Sequence, residues 1–227
     1  MFHLLRSLPL IGLLTLASAT LTTAQTAPAE TPEAAYTRTI NERAAKIVAT
    51  LGEADAKKAG KVQDIIAGQY RQLSELDKAR KAQLATLKAK PQDAATAEEI
   101  KQAEAKAAAA VDKLHQKYLS KLGHYLTAAQ VEKVKDGMTY SVTPNTYRAY
   151  QAMLPNLTEA QKTQILAWLV EAREKAMDAG TSEQKHAWFG KYKGKINNYL
   201  SAAGIDMKQA GKDWEARRVR EADGSAK

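Results

Sequence analysis

The sequence predicts an all-α fold: a single helical domain from which a long αα-hairpin projects. Three observations predict it. Alanine is abundant, while glycine and proline are sparse, 12 and 6 in 227 residues, and fall mostly at segment ends. Apolar residues recur at steps of three, four and seven along long stretches. Four segments of the second half place Thr or Asp three residues ahead of Gln, the pattern with which a helix satisfies its first free amides.

Each element follows from local chemistry. Thr31-Pro32 pairs an N-cap with proline at the first helical position and opens a helix to about Leu51, which Gly52 ends. From Asp55 to Leu87, the residues Val62, Ile66, Leu73, Leu76, Leu84 and Leu87 form one stripe. A turn around Pro91 leads to a third helix, Thr96 to Leu122, with Ile100, Ala107, Val111, Leu114 and Tyr118 as its stripe and Gly123 at its close. Joined by a short turn, these two read as a hairpin over 55–122, extending roughly 45 Å at 1.5 Å per residue.

The half from 123 to 220 is denser in aromatics. Thr127…Gln130 is a capping box, with Leu126 placed to staple onto Val131. Thr143-Pro144 opens a short helix ending near Leu154-Pro155. Thr158…Gln161 repeats the capping box and opens a helix to Ala179, with Gly180 in the C′ position. Thr181…Gln184 opens the next, to Gly204. Asp206…Gln209 opens the last, which carries Trp214. Residues 221–227 read as a frayed tail.

Residues 1–24 read as a cleavable secretory signal peptide. Arg6, His3 and the α-amino group precede a mostly apolar run, Leu8 to Leu16, and small-x-small sites follow at Ala17-Ser18-Ala19 and Thr22-Thr23-Ala24. That run is too short for a bilayer core, which needs about 20 residues. The expected product is periplasmic or extracellular, with 25–31 as a flexible leader and 32–220 as the domain. No later segment is apolar enough to cross a membrane. The chain has no cysteine, so disulfides, thiolate metal sites and a lipidated cysteine are excluded. Net charge is +9, and only Arg6 is charged in residues 1–24, leaving 9 − 1 = +8 on the remainder. Such a surface favours anionic partners. Export argues against nucleic acid and toward a saccharide or other anionic extracytoplasmic ligand. The hairpin also offers a surface for homo-oligomers.

Candidate binding residues lie in the helix from 181. Phe189, Ile196, Leu200 and Ala203 form its apolar stripe, flanked by Tyr192 and Tyr199. Trp188, Lys191, Lys195 and Asn198 share another face at steps of three, four and three. An indole plane suits the apolar face of a sugar, an amide suits hydroxyls, and ammonium groups suit a uronate or sulfate. Tyr140, Asn145 and Tyr147, near a helix break, are placed to line a cleft with that helix. Inward packing of Trp188 and solvation of the lysines is the competing reading. Gly190 and Gly194, four apart, suggest close approach of another helix or of a ligand. His186 is the titratable group best suited to proton transfer near neutrality. His115 and His124 show no ligand spacing. There is no G-x-S-x-G, phosphate loop or dinucleotide fingerprint, and no metal or cofactor is expected.

Two resemblances attach to quoted residues. The Leu-Thr-x-x-Gln segments at 126–130 and 157–161 resemble the motif of Spy/CpxP-type periplasmic chaperones. More broadly, Lys61-Val-Gln-Asp-Ile-Ile-Ala-Gly-Gln-Tyr70, Asp136-Gly-Met-Thr-Tyr140, the stretch from Trp168 to Gly180 and the stretch from Lys185 to Leu200 resemble a family of secreted bacterial proteins catalogued as a domain of unknown function and considered sugar-binding. The second resemblance covers most of the chain after residue 24 and implies export, one domain and work on glycans. The leading expectation is therefore a glycan-associated protein. A polysaccharide lyase using His186, Tyr192 or Lys195, and a chaperone, are the alternatives.

Overall fold

A computed structural model describes residues 30–53 and 55–225; the expected signal peptide and most of the leader lie outside the described residues. Eight helices and no strand occur among them, so the fold is all-α. They are α1 (Pro32–Ala49), α2 (Ala56–Lys88), α3 (Ala94–Gly123), α4 (Ala128–Met138), α5 (Val142–Met153), α6 (Glu159–Met177), α7 (Ser182–Ala202) and α8 (Met207–Ser225).

Local sequence chemistry starts most of them. Thr31 accepts from the Ala34 amide ahead of Pro32, and Asp55 accepts from the amides of Lys57 and Lys58. Reciprocal capping boxes open α4, α6 and α7 through Thr127/Gln130, Thr158/Gln161 and Thr181/Gln184. Asp206 accepts from the Gln209 amide at the start of α8. Each such cap is worth about 1 kcal/mol.

Several details differ from the sequence expectation. Helix α3 begins at Ala94, because Asp93 accepts from the Thr96 amide; Thr96 is buried in its first turn and does not cap it. Helix α5 begins at Val142, so Thr143 lies inside it and donates its hydroxyl to the Leu169 carbonyl at 3.2 Å. Helix α6 stops at Met177 with Asp178 as its cap, and Gly180 is not a left-handed C′ residue. Residues 221–225 continue α8. Gly123 belongs to the last turn of α3, which His124 caps, and Ala203 is exposed.

Packing divides into clusters. Ile40 and Ile47 of α1, Val62 and Ile66 of α2, Tyr118 and Leu122 of α3, and Val134 and Met138 of α4 form one core, joined by Met177 of α6. A second core takes Tyr150, Ile165, Leu169, Ile196 and Leu200 from α5, α6 and α7, with Met207 and Ala210 of α8 against it. Ala172, Ala176, Phe189 and Tyr192 continue it beneath Trp168 and Trp188. The turn end of the α2–α3 pair keeps its own small cluster, Leu84, Leu87, Ile100 and Ala103.

The two halves meet at specific contacts. A Cβ on Gly137 would lie 2.7 Å from Ile47 Cγ1, so α4 approaches α1 closely only because that position is bare. A Cβ on Gly180 would lie 2.6 Å from Asp77 Cβ, which sets the approach of the α6–α7 turn to α2. Gly190 and Gly194 meet nothing within 4 Å, so the close helix packing expected there is absent and both lie on an exposed face of α7. Buried Arg173 of α6 binds α4 through Asp136, at 2.9 Å, and Glu132.

Candidate functional site

Between the α2–α3 pair and the α6–α7 junction lies a cleft of about 640 Å³. The Asp77 carboxylate on α2 organises one wall. It accepts from Lys81 at 2.7 Å, from the Gln184 side-chain amide at 3.2 Å and from Arg80 at 3.3 Å. Burial pushes its carboxyl up, but Lys81, Gln184 and Arg80 together hold it below the ordinary carboxylate range. Gln184 does double duty: its carbonyl oxygen accepts from the amides of Gly180 and Thr181, while its nitrogen reaches Asp77. The capping residue of α7 thus ties that helix to α2, across the gap that Gly180 leaves.

On the facing element, His115 Nδ1 of α3 lies 2.7 Å from Asp178 Oδ2 at the end of α6, each side chain 15% exposed. The Asp178 carboxylate raises the imidazole pKa against the lowering effect of burial. With Nδ1 facing Asp178, Nε2 is the nitrogen left to a partner. Among the described residues, neither Asp178 Oδ1 nor His115 Nδ1, both buried, makes a hydrogen bond of good geometry, so the pair is a close ionic contact. Beside this pair, Lys185 is 3% exposed and donates to the carbonyls of Ala176 and Met177 at 3.0 and 2.9 Å. Burial lowers its ammonium pKa to about 8.

Trp188 stands partly buried at the rim of the cleft. The ammonium groups of Lys191 and Lys175 lie 5.3 and 5.7 Å from its ring centroid. The lining is richer in carboxylates than in cations: Asp77, Glu104, Asp112, Glu174 and Asp178 against Arg80, Lys175 and His115.

The candidate residues read from the sequence separate into three groups. Trp188 and Lys191 are together. Lys195 lies 4.5 Å from the Trp168 ring and 5.6 Å from that of Tyr192, and Tyr199 meets Trp168 edge-on. Asn198 is exposed, and Tyr147 packs on the second core. Tyr140 stacks on His186 with centroids 5.3 Å apart and donates to the Ser182 hydroxyl at 3.0 Å. Nine residues of helix, about 900° of rotation, put His186 and Lys195 on opposite sides of α7. Buried Tyr192 has its phenol raised to about 12, first by burial and then by Glu171, so it keeps its proton at neutral pH. Sequence reasoning weighed His115 only for ligand spacing and did not single out Asp178. One signal was present: His115 follows Val111 by four residues and precedes Tyr118 by three, which places an imidazole on the core face of α3.

Fold and site together define a class: a helical protein of two packed halves, with a polar, aromatic-rimmed cleft between them and no cluster of metal-binding side chains among the described residues. Residues 37–220 match the family described as "Protein of unknown function (DUF3826)", and the chain belongs to that family. No curated protein matches the chain.

Proposed function

We propose that this protein works outside the cytoplasm and binds a saccharide in the cleft between α2–α3 and α6–α7. The observation that carries this reading is Trp188, held partly buried at the mouth of a polar cleft of about 640 Å³. Saccharide sites need an aromatic plane for the ring's C–H face and fixed polar groups for its hydroxyls. Gln184, Asp77 and Arg80 are fixed by their mutual hydrogen bonds. The excess of carboxylates in the lining favours a neutral unit in this cleft over an acidic one. Residues 1–24 supply the export signal. A glycan array on the exported protein tests the proposal. Trp188→Ala is expected to weaken binding of a neutral oligosaccharide hit at least about tenfold, with the circular dichroism spectrum unchanged. An array without neutral hits, or an unaffected Trp188→Ala protein, refutes it.

A second reading, chemical processing of the bound unit, is favoured by the His115–Asp178 pair. An imidazole oriented by a carboxylate in a cleft has the arrangement of a general acid–base. The two Leu-Thr-x-x-Gln segments, in contrast, are accounted for by helix capping and lend no weight to the chaperone alternative.

A further inference from the structure

A second concavity, of about 420 Å³, lies between α5, α7 and α8 and shares no lining residue with the cleft. Trp214 of α8 forms one side, partly buried, with the Arg218 guanidinium 5.2 Å from its ring centroid. Met153 and Met207 supply apolar floor. The polar groups are Asn145, Asn197, Tyr150 and Lys193, together with the Thr146 hydroxyl.

The hydrogen bonds decide what these groups offer. Arg148 donates to Asn145 Oδ1 at 2.6 Å. A guanidinium only donates, so one lone pair of the Asn145 oxygen is taken, and its NH2 can donate to a ligand. The Tyr150 hydroxyl donates to Asn197 Oδ1 at 2.7 Å. Burial raises that phenol to about 12, so it keeps its proton and leaves Asn197 with its NH2 to offer. Lys193 has no ion-pair partner among the described residues, and no carboxylate lines the groove. Arg217 borders the site, donating to the carbonyls of Ala152 and Met153 at 3.0 and 3.1 Å. The groove therefore presents two amide donors and an ammonium beside an indole plane.

We propose that this groove is a second saccharide site, selective for a sugar unit bearing an acceptor-only anionic group, a carboxylate or a sulfate. Trp214 stacks on the ring, and Lys193, Asn145 and Asn197 converge on the anion. Charge discriminates: with a hydroxyl in place of the anion, Lys193 loses its counter-charge and the charge-assisted hydrogen bonds become ordinary ones, whereas no carboxylate among the described lining residues repels the anion. This site stands on its own residues and does not depend on the reading of the cleft.

Isothermal titration of the exported protein tests it with three probes: hexa-galacturonate, its carboxyl-reduced neutral counterpart, and sulfated maltohexaose. The expected result is binding of at least one anionic probe, with the carboxyl-reduced chain at least about tenfold weaker. Whichever anionic probe binds more tightly identifies the group as carboxylate or sulfate. Lys193→Gln, an exposed substitution with no packing role, is expected to weaken that binding about fivefold or more, and Trp214→Ala about tenfold or more. Trp188→Ala, in the other site, is expected to leave it unchanged. Failure of both anionic probes to bind, equal affinity for the carboxyl-reduced chain, or sensitivity to Trp188→Ala but not to Lys193→Gln overturns the proposal.

Discussion

Lys185 keeps its amine inside the protein, against the last carbonyls of α6 and 5.8 Å from the Tyr70 ring centroid. The helix C-terminus favours a cation there, but desolvation outweighs it and lowers the pKa from 10.5 to about 8. The sign of the consequence follows from proton counting. Between those two values the unfolded chain binds more protons than the folded one, so this group makes stability rise with pH through that window. The full effect is about 3 kcal/mol. As the neutral amine, Lys185 still has two N–H groups for its two carbonyls. The thermal midpoint of the wild-type protein is therefore expected to rise from pH 7.5 to pH 9.5 relative to that of Lys185→Met, in paired calorimetric scans. A constant difference between the two proteins would exclude the buried-amine account. Buried Tyr118 and Tyr70, whose pKa values are raised by burial, oppose the trend only above the ordinary tyrosine range.

At the scale of elements, two glycines that look alike in the sequence have opposite roles. Gly180 lets the α6–α7 turn close on α2, and an alanine Cβ there meets Asp77 at its Cβ, an atom that cannot swing away. Gly190 lies in an open stretch of α7, where glycine only weakens the helix. In urea titrations, Gly180→Ala is expected to lose about 1–3 kcal/mol, and Gly190→Ala to gain up to about 1 kcal/mol. The same contrast explains what could be read in advance. Helix starts were legible because capping is local: Thr127, Thr158 and Thr181 carry their partners three residues away. Apolar stripes were legible because a helix repeats every few residues. The starts of α3 and α5 were misplaced because Asp93 outcompetes Thr96 as a cap, and because Tyr140 and Ser141 turn the chain through left-handed conformations, with φ of 58° and 54°, that no glycine announces. The cleft was only half legible. Trp188 announced itself by type, but the Asp77–Gln184 and His115–Asp178 contacts join residues far apart in the chain, and no local pattern encodes them.

For the whole molecule, the proposed binding cleft also contributes to stability through His115. His115 has a raised folded pKa, so its contribution is fully present below the unfolded value of about 6.5 and is lost as pH rises through the folded value. His115→Asn is therefore expected to be more destabilised at pH 5.5 than at pH 8, in denaturant titrations at both values. If the cleft also processes its saccharide, the same variant retains binding and stops the release of new reducing ends. Unchanged product release would exclude His115 from the chemistry. Charge is distributed unevenly between these two concavities: carboxylates predominate in the lining of one, and among the described residues Lys193 is the only charged side chain lining the other.

The wall-to-wall contacts beside the cleft have a mechanical consequence. Asp77–Gln184, the bare Gly180 and His115–Asp178 pin the opposing walls at fixed separations. The opening cannot spread without breaking them, so it acts as a caliper. An occupant of the proposed site would be admitted by thickness first, and hydrogen bonding would sort only what had already passed that gauge.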